Sequence, residues 1–163
     1  MPQTQYSSAL NKAMSLLRRK FYSQWEMRSK LKKNDFDDET ISDVINYLEN
    51  SGYINDHKLC QALFDKYSRD EKCGSALTVS KLMARGLPKT MIYEIMKEYD
   101  FDNETEQALN LAKKRYKCEG KPSSSELGKI ARYLTSRGFS ASTVNKTIQS
   151  LKNAKCFADS LNR

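Results

Sequence analysis

Leu31-Lys32-Lys33-Asn34-Asp35-Phe36, Leu82-Met83-Ala84-Arg85-Gly86-Leu87 and Leu134-Thr135-Ser136-Arg137-Gly138-Phe139 are three forms of one phrase, 51 and 52 residues apart. Each form reads as a helix end, then a residue that tolerates left-handed backbone (Asp35, Gly86, Gly138), then an apolar residue that folds back on the helix. A helix start follows each time: Asp37, Pro88 and Ser140. Five positions beyond Phe36, Leu87 and Phe139 lie Ile41, Ile92 and Val144, and four further lie Ile45, Met96 and Ile148. A register that holds without a gap predicts stacked helical units, each too small to bury its own face, and three is about the minimum for a stable array.

Outward from that phrase the helical punctuation continues. Asn11 to Tyr22 places Met14, Leu17 and Phe21 at helical spacing. Ser23-Gln24-Trp25-Glu26 is a capping box opening a second helix with Met27 and Leu31 inward, and Trp25 is expected in the core. Asp37 opens a third helix with Ile41, Val44, Ile45 and Leu48 inward, closed by Gly52. Further helices are predicted at 55–71, opened by Asn55 or Asp56, then at 74–85, 88–99, 103–117, 125–137 (capping box Ser123 to Glu126) and 141–152. Proline occurs only at 2, 88 and 122, and no period-2 alternation is long enough for a strand. The expected fold is all-α: about nine helices in three tandem three-helix repeats (9–52, 53–101 and 102–152) and a tail at 153–163, forming an elongated, curved array.

The 163 residues carry 28 Lys+Arg against 20 Asp+Glu, a formal net charge of +8. Basic and acidic side chains number 8 and 7 in residues 1–50, 8 and 8 in 51–102, and 12 and 5 in 103–163, so nearly all of the excess lies in the last third. A one-ended positive field attracts a polyanion directionally, which makes nucleic acid, or a protein that wraps it, the first partner to expect. No apolar run exceeds three residues, so neither a membrane span nor a signal-peptide core is visible. Cys60, Cys73, Cys118 and Cys156 are spaced by 13, 45 and 38 positions without a C-x-x-C, which reads as free thiols in a reducing cytoplasm.

Chemistry-bearing constellations are few. His57 beside Asp56 is the only histidine, and adjacency in sequence does not aim an imidazole at a nucleophile; it reads as a solvent-facing residue in the first turn of a helix. No phosphate-cradling glycine loop appears. Asp35, Asp37, Asp38 and Glu39 lack the alternating ligands of a calcium loop and read as helix caps. No catalytic residue, metal or cofactor is therefore expected. The candidate sites are basic. Asn110, Lys113, Lys114 and Lys117 share one helix face opposite Leu109, Ala112 and Tyr116, while Arg115 falls on the apolar side, where its stem can pack and its head reach out. Lys129, Arg132, Arg137 and Lys146 extend the surface over the next two helices. Arg18, Arg19, Lys30 and Lys33 form a second, more diluted group in the first repeat.

Ser23-x-x-Glu26-Met27-x-x-Lys30-Leu31, then Gly52-Tyr53-Ile54-Asn55-Asp56, Gly74, Leu82-x-x-x-Gly86-Leu87 and Arg137-Gly138-Phe139-Ser140 together resemble the RecX family over residues 9–152. The resemblance implies three tandem three-helix repeats and a non-enzymatic modulator of the RecA recombinase, usually an inhibitor. Such a protein binds the RecA–DNA filament and suppresses its ATP hydrolysis, strand exchange and repressor cleavage, in the regulation of DNA repair, recombination and the SOS response. Its partners would be the RecA filament and single- or double-stranded DNA, met through the phosphates, with the protein a cytoplasmic monomer. Gly74-Ser75-Ala76-Leu77-Thr78-Val79 lacks the proline and basic residues frequent there in the family, so the interface is expected on the third repeat and then the first. An autonomous helical nucleic-acid-binding protein without a recombinase partner is the alternative reading.

Overall fold

The computed structural model describes residues 2–69, 73–98, 104–116 and 122–153. Nine α-helices and no strand occur among them: α1 Pro2–Leu17, α2 Gln24–Lys32, α3 Asp38–Asn50, α4 Asp56–Arg69, α5 Ser75–Met83, α6 Lys89–Lys97, α7 Glu104–Tyr116, α8 Ser124–Ser136 and α9 Ala141–Asn153. Four helix starts read from sequence are observed caps. Ser23 and Ser123 each form a complete capping box with Glu26 and Glu126, Asp37 accepts the Thr40 N–H at 2.7 Å, and Ser140 accepts the Thr143 N–H at 3.0 Å. Asn55, rather than Asp56, caps α4, its Oδ1 accepting from the Lys58 N–H at 2.9 Å. The three phrase turns have φ of 61° at Asp35, 76° at Gly86 and 79° at Gly138.

Two helix-one expectations need correction. α1 starts well before Asn11, because Tyr6, Ala9, Leu10, Ala13, Met14 and Leu17 form a continuous helical stripe whose most buried members are alanines, too small to stand out in a hydropathy pattern. It also stops at Leu17. Ser23 needs extended backbone (φ −72°, ψ 162°) to cap α2, so the chain leaves the helix through Arg18 to Lys20 and leaves Phe21 77% exposed.

The chain divides into two compact units, Met1–Phe64 with Lys81–Met96, and Asp65–Ser80 with Lys97–Arg163. In the first, α1, α2 and α3 pack around Ala9, Ala13, Met27, Leu31, Ile45 and Leu48. In the second, α7, α8 and α9 pack around Ala108, Leu111, Leu127, Ile130, Leu134 and Phe139. The repeat register is visible in burial, since Ile41, Ile92 and Val144 are all buried.

Inside each unit the same joint recurs. In the first, the start of α2 meets the turn after α5: buried Ser23 donates its hydroxyl to the Arg85 carbonyl, and the Arg85 guanidinium reaches Glu26 at 2.6 Å and the Phe21 carbonyl at 2.7 Å. In the second, the start of α5 meets the turn after α8: the Gly74 N–H donates to the Arg137 carbonyl at 2.9 Å and the Ala76 N–H to the Gly138 carbonyl at 3.0 Å. Each joint also borrows a carboxylate from the first turn of a following helix. Asp56 accepts the Gln24 N–H, and Glu104 accepts the Ser75 N–H, both at 2.9 Å. These acids satisfy amide donors that a helix start leaves unpaired.

The joint explains why Trp25 is not in the core, as expected from sequence, but 55% exposed. Met27 and Leu31 set the buried face of α2, and Trp25, two residues before Met27, falls on roughly the opposite side. There its Cβ and ring base lie over Gly86, where an added Cβ would come within 2.7 Å of three of its atoms.

Candidate nucleic-acid interface

The basic end of α7 and the length of α8 meet at one aromatic ring. The Tyr133 ring has the Arg137 guanidinium 5.3 Å and the Arg115 guanidinium 5.7 Å from its centroid, both within cation–π range. Tyr116 meets the same ring edge-on, 6.1 Å between centroids at 76°, and its hydroxyl donates to the Lys129 carbonyl at 3.2 Å. The local sequence dictates part of this. Tyr133 and Arg137 are four residues apart at the end of α8 and share a face, and Arg115 and Tyr116 end α7. Arg115 is exposed, so its head reaches solvent as expected from sequence.

Lys129 and Arg132 are exposed on α8, one turn or less before Tyr133, and Lys146 is exposed on α9. Lys113, Lys114 and Asn110 form the exposed face read from sequence; Lys117 lies outside the described residues. Lys113, Arg115, Lys129, Arg132, Arg137 and Lys146 make no ion pair with a carboxylate among the described residues. Two acids of the same unit are engaged elsewhere. Glu104 serves the joint and accepts the Thr143 hydroxyl at 2.8 Å, and Glu126 is held below the ordinary glutamate range by the Ser123 N–H, then the Ser123 hydroxyl and the Lys129 charge. Two guanidiniums oriented by a ring, rather than neutralised by a carboxylate, keep their donor forks available to a phosphate.

The first-unit group is looser. Arg18 and Arg19 are exposed in the turn after α1, and Lys30 and Lys33 at the end of α2; no contact among the described residues joins the two pairs. Lys20 is drawn to Glu26 at 3.5 Å and lies 4.3 Å from the Tyr22 centroid, while Lys32 pairs with Asp38 at 3.1 Å. His57 is exposed in the first turn of α4. Cys60 and Cys73 are buried and in no disulfide, and burial, followed by the charge of Asp56, pushes the Cys60 thiol up to about 11. No trio of His, Cys, Asp or Glu able to hold a metal, and no helix long and apolar enough to cross a membrane, occurs among the described residues.

Sequence reasoning missed Tyr133 as the hub and Arg85 as the joint's clasp. The i, i+4 spacing of Tyr133 and Arg137 was a usable signal; the arrival of Arg115 from another helix was not.

The RecX first three-helix domain matches residues 9–48 and the RecX third three-helix domain matches residues 102–148. Regulatory protein RecX of Clostridioides difficile (strain 630) is 31% identical over 149 residues, 91% of this chain and 70% of that protein. Regulatory protein RecX of Streptococcus pneumoniae (strain Hungary19A-6) is 34% identical over 139 residues, 85% of this chain; the chain spans only 53% of that relative's length. The crystal structure of RecX from Lactobacillus salivarius superposes with a TM-score of 0.79 over 91% of this chain and 97% of that one, at 23% identity, a likeness of fold. With both terminal three-helix domains matched and a relative of this identity covered over two-thirds of its length, the chain belongs to the RecX family.

Proposed function

We propose that this chain is a non-enzymatic, cytoplasmic regulator of the RecA recombinase, acting as an inhibitor by binding the RecA–DNA filament and suppressing its ATP hydrolysis, strand exchange and repressor cleavage. Three repeats at 9–52, 53–101 and 102–152 supply the scaffold, and the third carries the contact to DNA phosphates. The observation that carries the reading is the Arg115–Tyr133–Arg137 cluster within the +7 third of the chain, with Lys129 and Arg132 exposed on the same helix as Tyr133. The RecX membership supports RecA as the partner. Contacts to phosphate orient and attract without reading sequence, which suits a regulator that must act on a filament of any sequence.

Binding to three targets tests this: the cognate RecA filament on single-stranded DNA, the bare DNA, and RecA alone. Tight binding to the filament, with much weaker and steeply salt-dependent binding to bare DNA, is the expected result. Equal affinity for filament and bare DNA would favour the autonomous nucleic-acid-binding reading.

A further inference from the structure

An apolar groove of about 270 Å³ opens on the first unit, well away in sequence from the basic third repeat, and its walls include Phe21, Tyr22, Tyr53, Asn55, Lys58 and Leu59. Phe21 is 77% and Tyr53 48% exposed, so both rings on the groove are open to a flat partner. The three residues before Phe21 are Arg18-Arg19-Lys20, all exposed, and Lys58 stands in the groove wall. Two acids on neighbouring elements are already engaged: Glu26 by Arg85, and Asp56, itself half-buried, by the Gln24 N–H. Asn55 spends its Oδ1 capping α4, which leaves the amide NH₂ of a groove-wall residue as a donor.

We propose that this groove stacks an unpaired base of single-stranded DNA between Phe21 and Tyr53 while Arg18, Arg19 and Lys58 hold the adjoining phosphates. Planar aromatic walls with a cationic approach match a polymer of flat rings joined by anions, the combination used by single-strand-binding surfaces. An apolar peptide would leave those cations without counterparts. The inference extends the proposed function from phosphates on the third repeat to bases on the first, and is tested without RecA so that the two stand or fall separately.

The test is binding of the full chain to an oligothymidylate with one central 2-aminopurine, beside a blunt duplex of the same length. Phe21→Ala and Tyr53→Ala should each weaken single-strand binding about 5- to 150-fold and abolish the quenching of 2-aminopurine, and leave duplex affinity within about twofold. Phe21→Trp should restore both readouts. Lys129→Glu with Arg132→Glu should weaken single strand and duplex alike and leave the quench in whatever complex forms. The proposal is overturned if the wild-type chain does not quench the probe, if the alanine variants bind single strands like the wild type, or if they lose single strand and duplex equally.

Discussion

A methyl group at Gly74 would lie 2.5 Å from the carbonyl carbon and oxygen of Gly138 and from the Phe139 nitrogen, all backbone atoms that cannot swing aside. Gly74→Ala should therefore cost more than about 2 kcal/mol in urea denaturation and lower the melting temperature accordingly. Gly128 is the contrast: it sits inside α8 with nothing within 4 Å of an added Cβ, so Gly128→Ala should raise stability by about 0.5–1 kcal/mol. Charge at the same scale gives opposite signs at two acids. Burial raises Glu26, but the Arg85 and Ser23 hydrogen bonds and the Arg85 and Lys20 charges outweigh it, and its carboxyl ends below the ordinary 4.5. Its contribution is thus present above pH 4.5 and lost as pH falls through the lower, folded value. Asp56 is raised above 3.8, chiefly by burial, so its ionisation opposes folding, and its contribution grows as pH falls through the raised value. Asp56→Asn keeps an acceptor for the Gln24 N–H and removes the half-buried charge, so stability at neutral pH should hold or rise, whereas Glu26→Gln should lower it and flatten the loss below pH 4.5. Denaturation of both variants at neutral and acid pH checks the signs.

The helices and their caps were legible because they are written in local chemistry: Ser-x-x-Glu before α2 and α8, Asp37 and Ser140 before α3 and α9, and a left-handed residue at each phrase turn. What those turns touch was not legible. Nothing in Arg85-Gly86 states that the carbonyl will receive the Ser23 hydroxyl 62 residues away or that the guanidinium will meet Glu26. Trp25 shows the same limit, since a hydropathy pattern cannot reveal that a glycine from elsewhere underlies an exposed ring. The joint predicts strong coupling. Arg85→Met strips a partner from a largely buried Glu26 and from the Phe21 carbonyl, and should cost about 2–3 kcal/mol; with Glu26→Gln also present, the added cost should be much smaller. The Lys32–Asp38 pair, with 70% and 82% of its side chains exposed, should be worth about 0–1 kcal/mol in the same cycle.

Across the whole molecule the 51- and 52-residue recurrence decided the fold, and the charge count located the third repeat as the basic one. The candidate site was half visible: its arginines and lysines were singled out from sequence, but the meeting of Arg115 and Arg137 at Tyr133 depends on two helices packing, which no single-helix pattern encodes. The central claim is that this gathered charge acts on the RecA filament. The most direct measurement is ATP hydrolysis by the cognate RecA on single-stranded DNA, with the wild-type chain and an Arg115→Glu/Arg137→Glu variant titrated in well below the RecA concentration. The account predicts that the wild type suppresses hydrolysis at substoichiometric amounts and that the variant needs at least about tenfold more, from the loss of two charge-assisted phosphate contacts. Unchanged hydrolysis with the wild type, or equal suppression by the variant, would contradict it.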